Sequence, residues 1–315
     1  MMLIQYFPTN TKFRFMEFRR WSFPFSAAMS VVAVLVFFTA GMNFGIDFKG
    51  GTLVELQSKA PQADVGSLRE RANGLGFGEV EVQEFGAGRE VSLRIELQPG
   101  GEQGQQAVVQ RLRDVFSADY DFRRVEVVGP RVSGELVQSG TLGILLSLVA
   151  ILAYLWFRFE WQFAIGAVIA TLHDIVLTMG FFAVTQIEFN MTSIAAILTI
   201  IGYSLNDTVV VYDRIRETMR KYKRLAIGDL LDKAMNDTLT RTIVTGVSTA
   251  LALLALTFFG GEVLKSFSYA MLFGLVVGTY SSVLIAAPIL IYLGLKQGAE
   301  APANVPDGRL AQPAE

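Results

Sequence analysis

The stretch FPFSAAMSVVAVLVFFTAGM, residues 23–42, contains no ionisable side chain and is apolar over almost its whole length. An α-helix rises about 1.5 Å per residue, so this run covers roughly 30 Å, the thickness of the hydrocarbon core of a bilayer. It predicts a first transmembrane helix over residues 23–43, after a cytoplasmic N-terminal segment of residues 1–22. A cleaved signal peptide fits less well, because the run is too long and lacks a small-x-small cleavage site. Four basic residues precede the run: Lys12, Arg14, Arg19 and Arg20.

The composition of the whole chain also indicates a membrane protein. Hydrophobic residues make up 52% of the 315 residues and charged residues only 18%, which is more apolar surface than a soluble domain can bury. The net charge of −2, with basic clusters only beside apolar runs, argues against a nucleic-acid partner. The chain has no cysteine and one histidine, His173, so we expect no disulfide, no multi-histidine zinc site and no cofactor.

Further apolar runs predict that the chain crosses the membrane six times. A count of six places both termini on one side, together with the N-terminal basic cluster, Arg158 and the basic residues within 214–224. The positive-inside rule makes that side cytoplasmic, so the connection at 212–240 and a disordered tail at 296–315 are also predicted to be cytoplasmic. The five further runs lie near residues 136–157, 163–184, 191–211, 242–259 and 267–293, within a membrane region predicted at 139–295.

Between the first two spans, residues 44–138 are polar and have the periodicity of a folded domain. Apolar residues alternate with polar ones in strand-like segments, while Asp64 is placed to cap a helix and Gly86-Ala87-Gly88 to turn a hairpin. The predicted order βαββαβ is that of a ferredoxin-like α+β sandwich. Because this segment follows the first span, we expect the domain on the extracytoplasmic, periplasmic side.

Ionisable residues inside the spans are the candidates for chemistry, since each costs about 2.5 to 3.5 kcal/mol to insert. Asp207 lies in the inner third of the fourth span and Arg241 opens the fifth, so antiparallel neighbours would bring them to similar depths. Desolvation favours the protonated carboxyl and a nearby guanidinium favours the ionised form, which suits a proton carrier gated by conformation. In the alternative interpretation, Arg241 pairs only with Asp237 and Asp207 sits in headgroup water.

Three further groups of residues attract attention in the same spans. His173 and Asp174, near the middle of the third span, form either a packed pair that stabilises the bundle or a proton relay. Asn206 precedes Asp207 directly. Asp213 leads into Arg214, Arg216 and Glu217 and predicts an interfacial network rather than a direct role.

Five motifs in order resemble the SecF proteins of the SecD/SecF family, within the resistance-nodulation-division superfamily. The likeness covers about residues 13–295. The segment with Gly45, Asp47, Gly50 and Gly51 matches neither phosphate-binding loop pattern and is read as a family motif at the membrane exit. The motifs are Gly45 to Thr52, Val128-Gly129-Pro130, His173-Asp174, Gly202 to Asp207 and Asp213 to Glu217.

The resemblance implies a non-enzymatic subunit of protein export in the bacterial inner membrane. A protein of this family acts with SecD, the SecYEG channel, the motor SecA and an accessory of the YidC or YajC type, and uses the proton gradient to draw unfolded preproteins outward. By motif position, Asp207 and Arg241 match the family's proton pathway. Membrane lipids surround the spans, and no nucleotide or nucleic acid is implied.

Two rival functions remain open at the level of sequence. A small-molecule exporter of the same superfamily would need an aromatic pocket in its outer domain, where the aromatic residues mostly occupy core-type positions. A structural scaffold of the translocon would hold its partners without using protons. The aromatic residues in question are Phe77, Phe85, Phe116, Tyr120 and Phe122.

Overall fold

The computed structural model describes residues 11–78, 80–85 and 88–295, with only the backbone described at residues 262 and 263. The predicted disordered tail lies outside the described residues, as do the first ten residues of the N-terminal segment. Two residues of the predicted hairpin turn, 86 and 87, are also outside them.

The membrane region consists of long apolar helices, and in the described part of the chain six are long and apolar enough to cross a bilayer. This confirms a polytopic α-helical membrane protein. The last of the six is interrupted and continues through a π-helical turn, Ser282–Ala286, into α10, Ala287–Tyr292. The long helices are α1 (Phe15–Ala40), α5 (Pro130–Arg158), α6 (Trp161–Thr185), α7 (Met191–Lys221), α8 (Ile227–Phe259) and α9 (Glu262–Ser281).

Several helices extend well beyond the apolar runs that predicted them. α7 and α8 continue into the predicted cytoplasmic connection, so that only residues 222–226 between them are not helical. Their extensions bury Ile215, Leu230 and Leu231 in one core cluster, and this packing supports helical structure where hydropathy alone shows no span. α5 likewise begins at Pro130, since proline is well suited to the first turn of a helix.

The soluble domain between α1 and α5 contains a four-stranded antiparallel sheet in the order β2-β3-β1-β4. Its core is formed by alternate residues of the strands and the inner faces of two helices, with Leu56, Leu93, Leu112 and Phe116 fully buried. The elements are α2 (Ile46–Lys49), β1 (Gly51–Ser58), α3 (Val65–Asn73), β2 (Val80–Phe85), β3 (Glu90–Ile95), α4 (Gly101–Phe116) and β4 (Tyr120–Val128).

The local signals predicted in this domain have structural counterparts. The Asp64 carboxylate accepts a hydrogen bond from the Ser67 N–H at 3.0 Å and caps α3, as predicted. β2 and β3 pair antiparallel from Val80 with Ile95 to Phe85 with Glu90, which is the pairing of a hairpin. The apolar face of each strand therefore meets the helices.

Pro288 explains the interruption of the sixth span. Proline has no N–H to donate to the carbonyl four residues earlier, which is that of Leu284 in the π-helical turn. The Ser22 hydroxyl of α1 donates to the Leu284 carbonyl at 3.0 Å, and the Tyr212 hydroxyl of α7 donates to the Ala286 carbonyl at 2.9 Å. Neighbouring helices thus satisfy backbone groups that hydrocarbon could not, which fastens α1 and α7 to the sixth span.

Replacing Gly51 by alanine should destabilise the soluble domain. Gly51 has φ +124°, and a Cβ there would collide with the Ile95 carbonyl of β3. We expect a loss of about 1 to 3 kcal/mol from this backbone strain. Hydrogen exchange on the full-length chain should show faster exchange of β1 and β3 amides. Gly66→Ala in α3 is the matched control, since its Cβ meets only ordinary contacts, and equal protection in both variants would contradict the prediction.

Candidate functional site

Asp207 is buried inside the helix bundle, near the middle of α7. Its side chain lies on α7, on the face that also buries Ser204, Thr208 and Val211, and the residue is only 4% exposed. The Thr242 hydroxyl and the positive charge of Arg241, both on α8, act on this carboxylate. Its Oδ2 atom is buried without a hydrogen-bond partner in the described chain. The carboxylate is therefore held away from solvent and incompletely satisfied.

Arg241 acts on this carboxylate through its charge alone, from beyond ion-pair distance, and its side chain faces outward. It is exposed, and no carboxylate of the described residues lies within ion-pair distance of it. Asp237, the alternative partner one turn earlier, instead accepts from Arg214 on α7 at 2.7 Å. Because Asp237 pairs with Arg214, it does not hold the Arg241 guanidinium. That guanidinium is therefore available to Asp207 or to a neighbouring protein.

A strip of polar residues faces outward at the depth of the spans. Asn206 on α7 is exposed, as are Arg241 and Ser248 on α8. Asn206 therefore points away from the Asp207 carboxylate and has no hydrogen bond there. Only 11% of the apolar part of α5 and 17% of that of α8 is buried, against 67% for the sixth span. Since polar groups are costly against lipid, the strip indicates a protein partner.

His173 and Asp174 form a second buried polar cluster on α6. His173 Nδ1 lies 3.1 Å from Asp174 Oδ1, and Asp174 Oδ2 accepts from Ser204 of α7 at 2.5 Å and from Ser281 of α9 at 2.8 Å. Asp174 is fully buried. The cluster ties three helices together, and Ser204 lies one turn from Asp207 on the same helix.

Asp213 lies at the opposite end of α7 from the soluble domain. Both its carboxylate oxygens accept from the Arg158 guanidinium, at 2.6 and 2.7 Å, and both side chains are partly exposed. This pair joins the C-terminal end of α5 to α7. The pair is separate from the Asp207 site, and its membership of an interfacial network stays a prediction.

The glycine-rich motif lies where the soluble domain meets the membrane helices. We call residues 43–48 and 186–191 the domain junction. The Phe189 N–H donates to the Asn43 carbonyl at 2.7 Å, and the Gly45 N–H donates to the Phe189 carbonyl at 2.9 Å. Asp47 Oδ2 accepts from the Met191 N–H at 2.9 Å and so caps α7. A side chain at Gly45 would collide with the Glu188 carboxylate.

Arg94 and Glu188 complete the junction, and sequence reasoning missed both. The Arg94 guanidinium on β3 pairs with Glu188, and also donates to Asn43 at 2.9 Å and to Glu81 at 3.1 Å. Arg94 is only 12% exposed and Glu188 29%. Burial raises the pKa of Glu188 above its ordinary value of 4.5, although the Arg94 charge opposes this. The one available signal was an acidic residue in a very short loop between spans.

These features define a polytopic transport-type membrane protein with a folded domain after its first span and ionisable groups inside its bundle. Residues 107–296 match the family described as "Protein export membrane protein SecD/SecF, C-terminal", and residues 35–62 match the "SecD/SecF GG Motif". The chain is 42% identical over 293 residues to the protein translocase subunit SecF of Rickettsia bellii, covering 92% of this chain and 96% of that protein. The chain belongs to the SecD/SecF family of protein-export membrane proteins.

Longer relatives contain a second part that this chain does not match. The chain is 43% identical to the protein translocase subunit SecDF of Brucella abortus, covering 97% of this chain and 40% of that protein. The crystal structure of SecDF from Thermus thermophilus, a translocon-associated membrane protein, aligns with TM-score 0.81 and 33% identity over 91% of this chain and 39% of that one. A SecDF structure in a super-membrane-facing form aligns over the same shares with TM-score 0.67.

Acidic conditions should tighten the domain junction through Glu188. A carboxyl whose pKa is raised by burial holds its proton more tightly in the assembled junction than when exposed, so the junction is stabilised as the pH falls and loses this contribution as the pH rises through the raised pKa. In the full-length chain, the protection of the Phe189 amide, corrected for intrinsic exchange, should therefore increase as the pH falls from neutral toward the ordinary carboxyl range.

Glu188→Gln should remove this pH dependence, because the amide does not titrate in the range. Glu135→Gln on α5 is the control, since Glu135 forms only an exposed pair with Arg131. An unchanged pH dependence in the Glu188 variant would show that another group is responsible.

Proposed function

We propose that this protein is a SecF-like subunit that uses the proton gradient to promote export of preproteins, with Asp207 as the proton-carrying group and Arg241 as its partner. The observation that carries the proposal is the Asp207 carboxylate, 4% exposed, with one oxygen unpartnered and the charge of Arg241 acting on it from α8. Relatives named as protein translocase subunits support the role in export.

The physical mechanism is a change in charge at a place that tolerates charge poorly. When Asp207 is ionised, the Arg241 charge offsets it; when Asp207 takes up a proton, the attraction between α7 and α8 weakens. One charge moved through 100 mV supplies about 2.3 kcal/mol, enough to change the balance between two conformations by a large factor. Proton passage can therefore bias the packing of these two helices.

A SecD-type chain is the partner that this arrangement requires. The SecDF relative contains both parts in one chain, and this chain matches 40% of it. The outward polar strip of Asn206, Arg241 and Ser248 supports a protein neighbour on the α7 and α8 side. By family likeness we extend the proposal to the SecYEG channel, SecA and an accessory of the YidC or YajC type.

The proposed orientation places both ends of the membrane region at the cytoplasmic face of the bacterial inner membrane. Basic residues gather at the ends of α5 and α7, far from the soluble domain, in agreement with the positive-inside rule. The domain is then periplasmic. We take it as ferredoxin-like, which its element order and its strand order β2-β3-β1-β4 support, and we propose that it acts on unfolded preproteins.

A change in domain orientation is consistent with the two SecDF structures. Both align with 33% identity over the same share of this chain, yet their TM-scores are 0.81 and 0.67. The two structures are therefore equally similar to this chain in sequence, but their three-dimensional arrangements differ from each other. The domain junction combines polar contacts with a cluster of aromatic rings formed by Phe44, Phe48 and Phe189, so a change in domain orientation would have to rearrange or carry along this packing.

The small-molecule exporter receives less support from the soluble domain. Phe116 is fully buried and Tyr120 is 6% exposed, both within the domain core rather than around a cavity. A cavity of about 480 Å³ lies instead at the N-terminal end of α1 and is lined by charged side chains such as Arg14 and Asp229. A scaffold role remains the main alternative, and proton coupling distinguishes it.

Asp207→Asn should preserve assembly with the partner chain and abolish the gradient-dependent part of preprotein export. The amide keeps the size of the side chain but cannot exchange a proton. Export into inverted membrane vesicles, with and without a proton gradient, measures the effect, and proton flux in the same vesicles tests the coupling directly.

The matched control is Glu217→Gln, also on α7, where Glu217 forms an exposed pair with Arg214. This variant should retain gradient-dependent export, since such pairs contribute little. Full gradient-dependent export by the Asp207 variant would remove the proton mechanism and leave a scaffold role.

Cysteine crosslinking should locate the partner on the outward strip. The chain has no native cysteine, so Ser248→Cys provides a single reactive position on the exposed side of α8. We expect it to crosslink to a cysteine-scanned SecD-type chain in native membranes. Leu172→Cys, on the exposed apolar side of α6, is the control and should crosslink weakly. Stronger crosslinking from Leu172→Cys than from Ser248→Cys would place the partner against α6 and contradict the prediction.

A further inference from the structure

The pair formed by His173 and Asp174 has an arrangement that packing alone does not require. Asp174 is fully buried and its carboxylate receives three polar groups: the Nδ1 of His173 and the hydroxyls of Ser204 and Ser281. No lysine or arginine of the described chain forms an ion pair with it. The imidazole is therefore its one basic neighbour.

The contact between the imidazole ring and the Asp174 carboxylate determines which nitrogen of His173 is free to accept a proton. An ionised Asp174 accepts a hydrogen bond, so Nδ1 carries the proton of the neutral ring and Nε2 keeps a free lone pair. His173 is only 9% exposed, and its Nε2 is buried without a hydrogen-bond partner among the described residues. An unpartnered basic nitrogen beside a buried carboxylate is a site that a proton can fill.

We propose that His173 and Asp174 form a second proton-binding site, loaded at Nε2 of His173 from the side of α1. The lone pair of Nε2 takes up the proton, and the imidazolium formed becomes the counter-ion of the Asp174 carboxylate. The hydrogen bond from Nδ1 and those from the two serine hydroxyls persist in both states. Loading therefore changes the charge of the cluster from −1 to zero without breaking its contacts.

A polar track on the α1 side gives the proton a direction of entry. The Tyr280 ring lies beside His173, with centroids 6.1 Å apart, and its hydroxyl is 2.5 Å from that of Ser26 on α1. The same hydroxyl donates to the Ser22 carbonyl at 3.3 Å, one turn nearer the N-terminal end of α1. These side chains form a polar contact between α1 and the ring that packs beside His173.

Other ionisable groups around the pair are few, so its titration can be assigned. α6 carries no other, and α1 carries none between Arg20 and Ala40. α9 contributes Tyr280. α7 contributes the Ser204 hydroxyl and, one turn further, Asp207; α5 has none between Glu135 and Tyr154.

The single histidine makes a direct test possible. The full-length chain is labelled with ¹⁵N and ¹³C histidine, purified through a tag without histidine, placed in lipid bilayers and followed by solid-state NMR from about pH 8 to about pH 5. We expect the neutral ring to carry its proton on Nδ1 and Nε2 to gain a proton as the pH falls. In Asp174→Asn the ring should bind the proton about tenfold more weakly or worse, because the counter-ion is lost.

Glu217→Gln is the charge-matched control and should titrate like the native chain. A neutral ring with its proton on Nε2 would overturn the proposal, as would a ring that stays neutral throughout. The proposal would also fail if the Asp174 variant bound the proton as tightly as the native chain, or if the Glu217 control bound it more weakly. The tautomer and titration of the native chain need no substitution, so the test holds even if the Asp174 variant fails to fold. No part of it depends on the proposed role of Asp207, because the ring is observed directly.

Discussion

The constraint on which this structure depends is that a charge inside hydrocarbon must be compensated by a neighbour. Asp207 is compensated only in part, by the Thr242 hydroxyl and the Arg241 charge on α8, the latter beyond ion-pair distance, whereas Asp174 has His173 and two serine hydroxyls on α7 and α9. Each solution draws on a different helix, so each carboxylate also determines which helices must pack together. The same rule acts on the backbone, where Ser22 supplies the hydrogen bond that Pro288 cannot make.

This constraint also explains why small residues line the α7 and α9 interface. A side chain at Gly274 would collide with Ile200, and one at Gly278 would meet Ser204 Cβ at 3.0 Å. The two helices therefore approach closely enough for Ser204 and Ser281 to reach the same carboxylate oxygen. Small-residue packing and the satisfaction of a buried charge are two aspects of one interface.

Sequence alone predicted the spans and the soluble domain because both depend on hydrophobic period, which is local. The ends of the helices were less predictable: α7 and α8 continue through polar sequence because packing of residues such as Leu230 replaces lipid as the stabilising contact. Asp207 and Asp174 could be noticed because charge in an apolar run is conspicuous. Arg94 and Glu188 could not, since an ion pair between residues 94 and 188 depends on tertiary placement that no local pattern encodes.

α7 connects all of these features along one rod. Its N-terminal end is capped by Asp47 of the domain junction, its middle carries Ser204 and Asp207, and its C-terminal part is tied by Asp213 to Arg158. A helix transmits displacement along its length because its backbone hydrogen bonds resist bending. Under the proposed function, a weaker contact between α7 and α8 at Asp207 would therefore reach Met191, where the N–H bonded to Asp47 couples the bundle to the soluble domain. α7 thus carries both the buried Asp207 carboxylate and the helix start that the soluble domain caps.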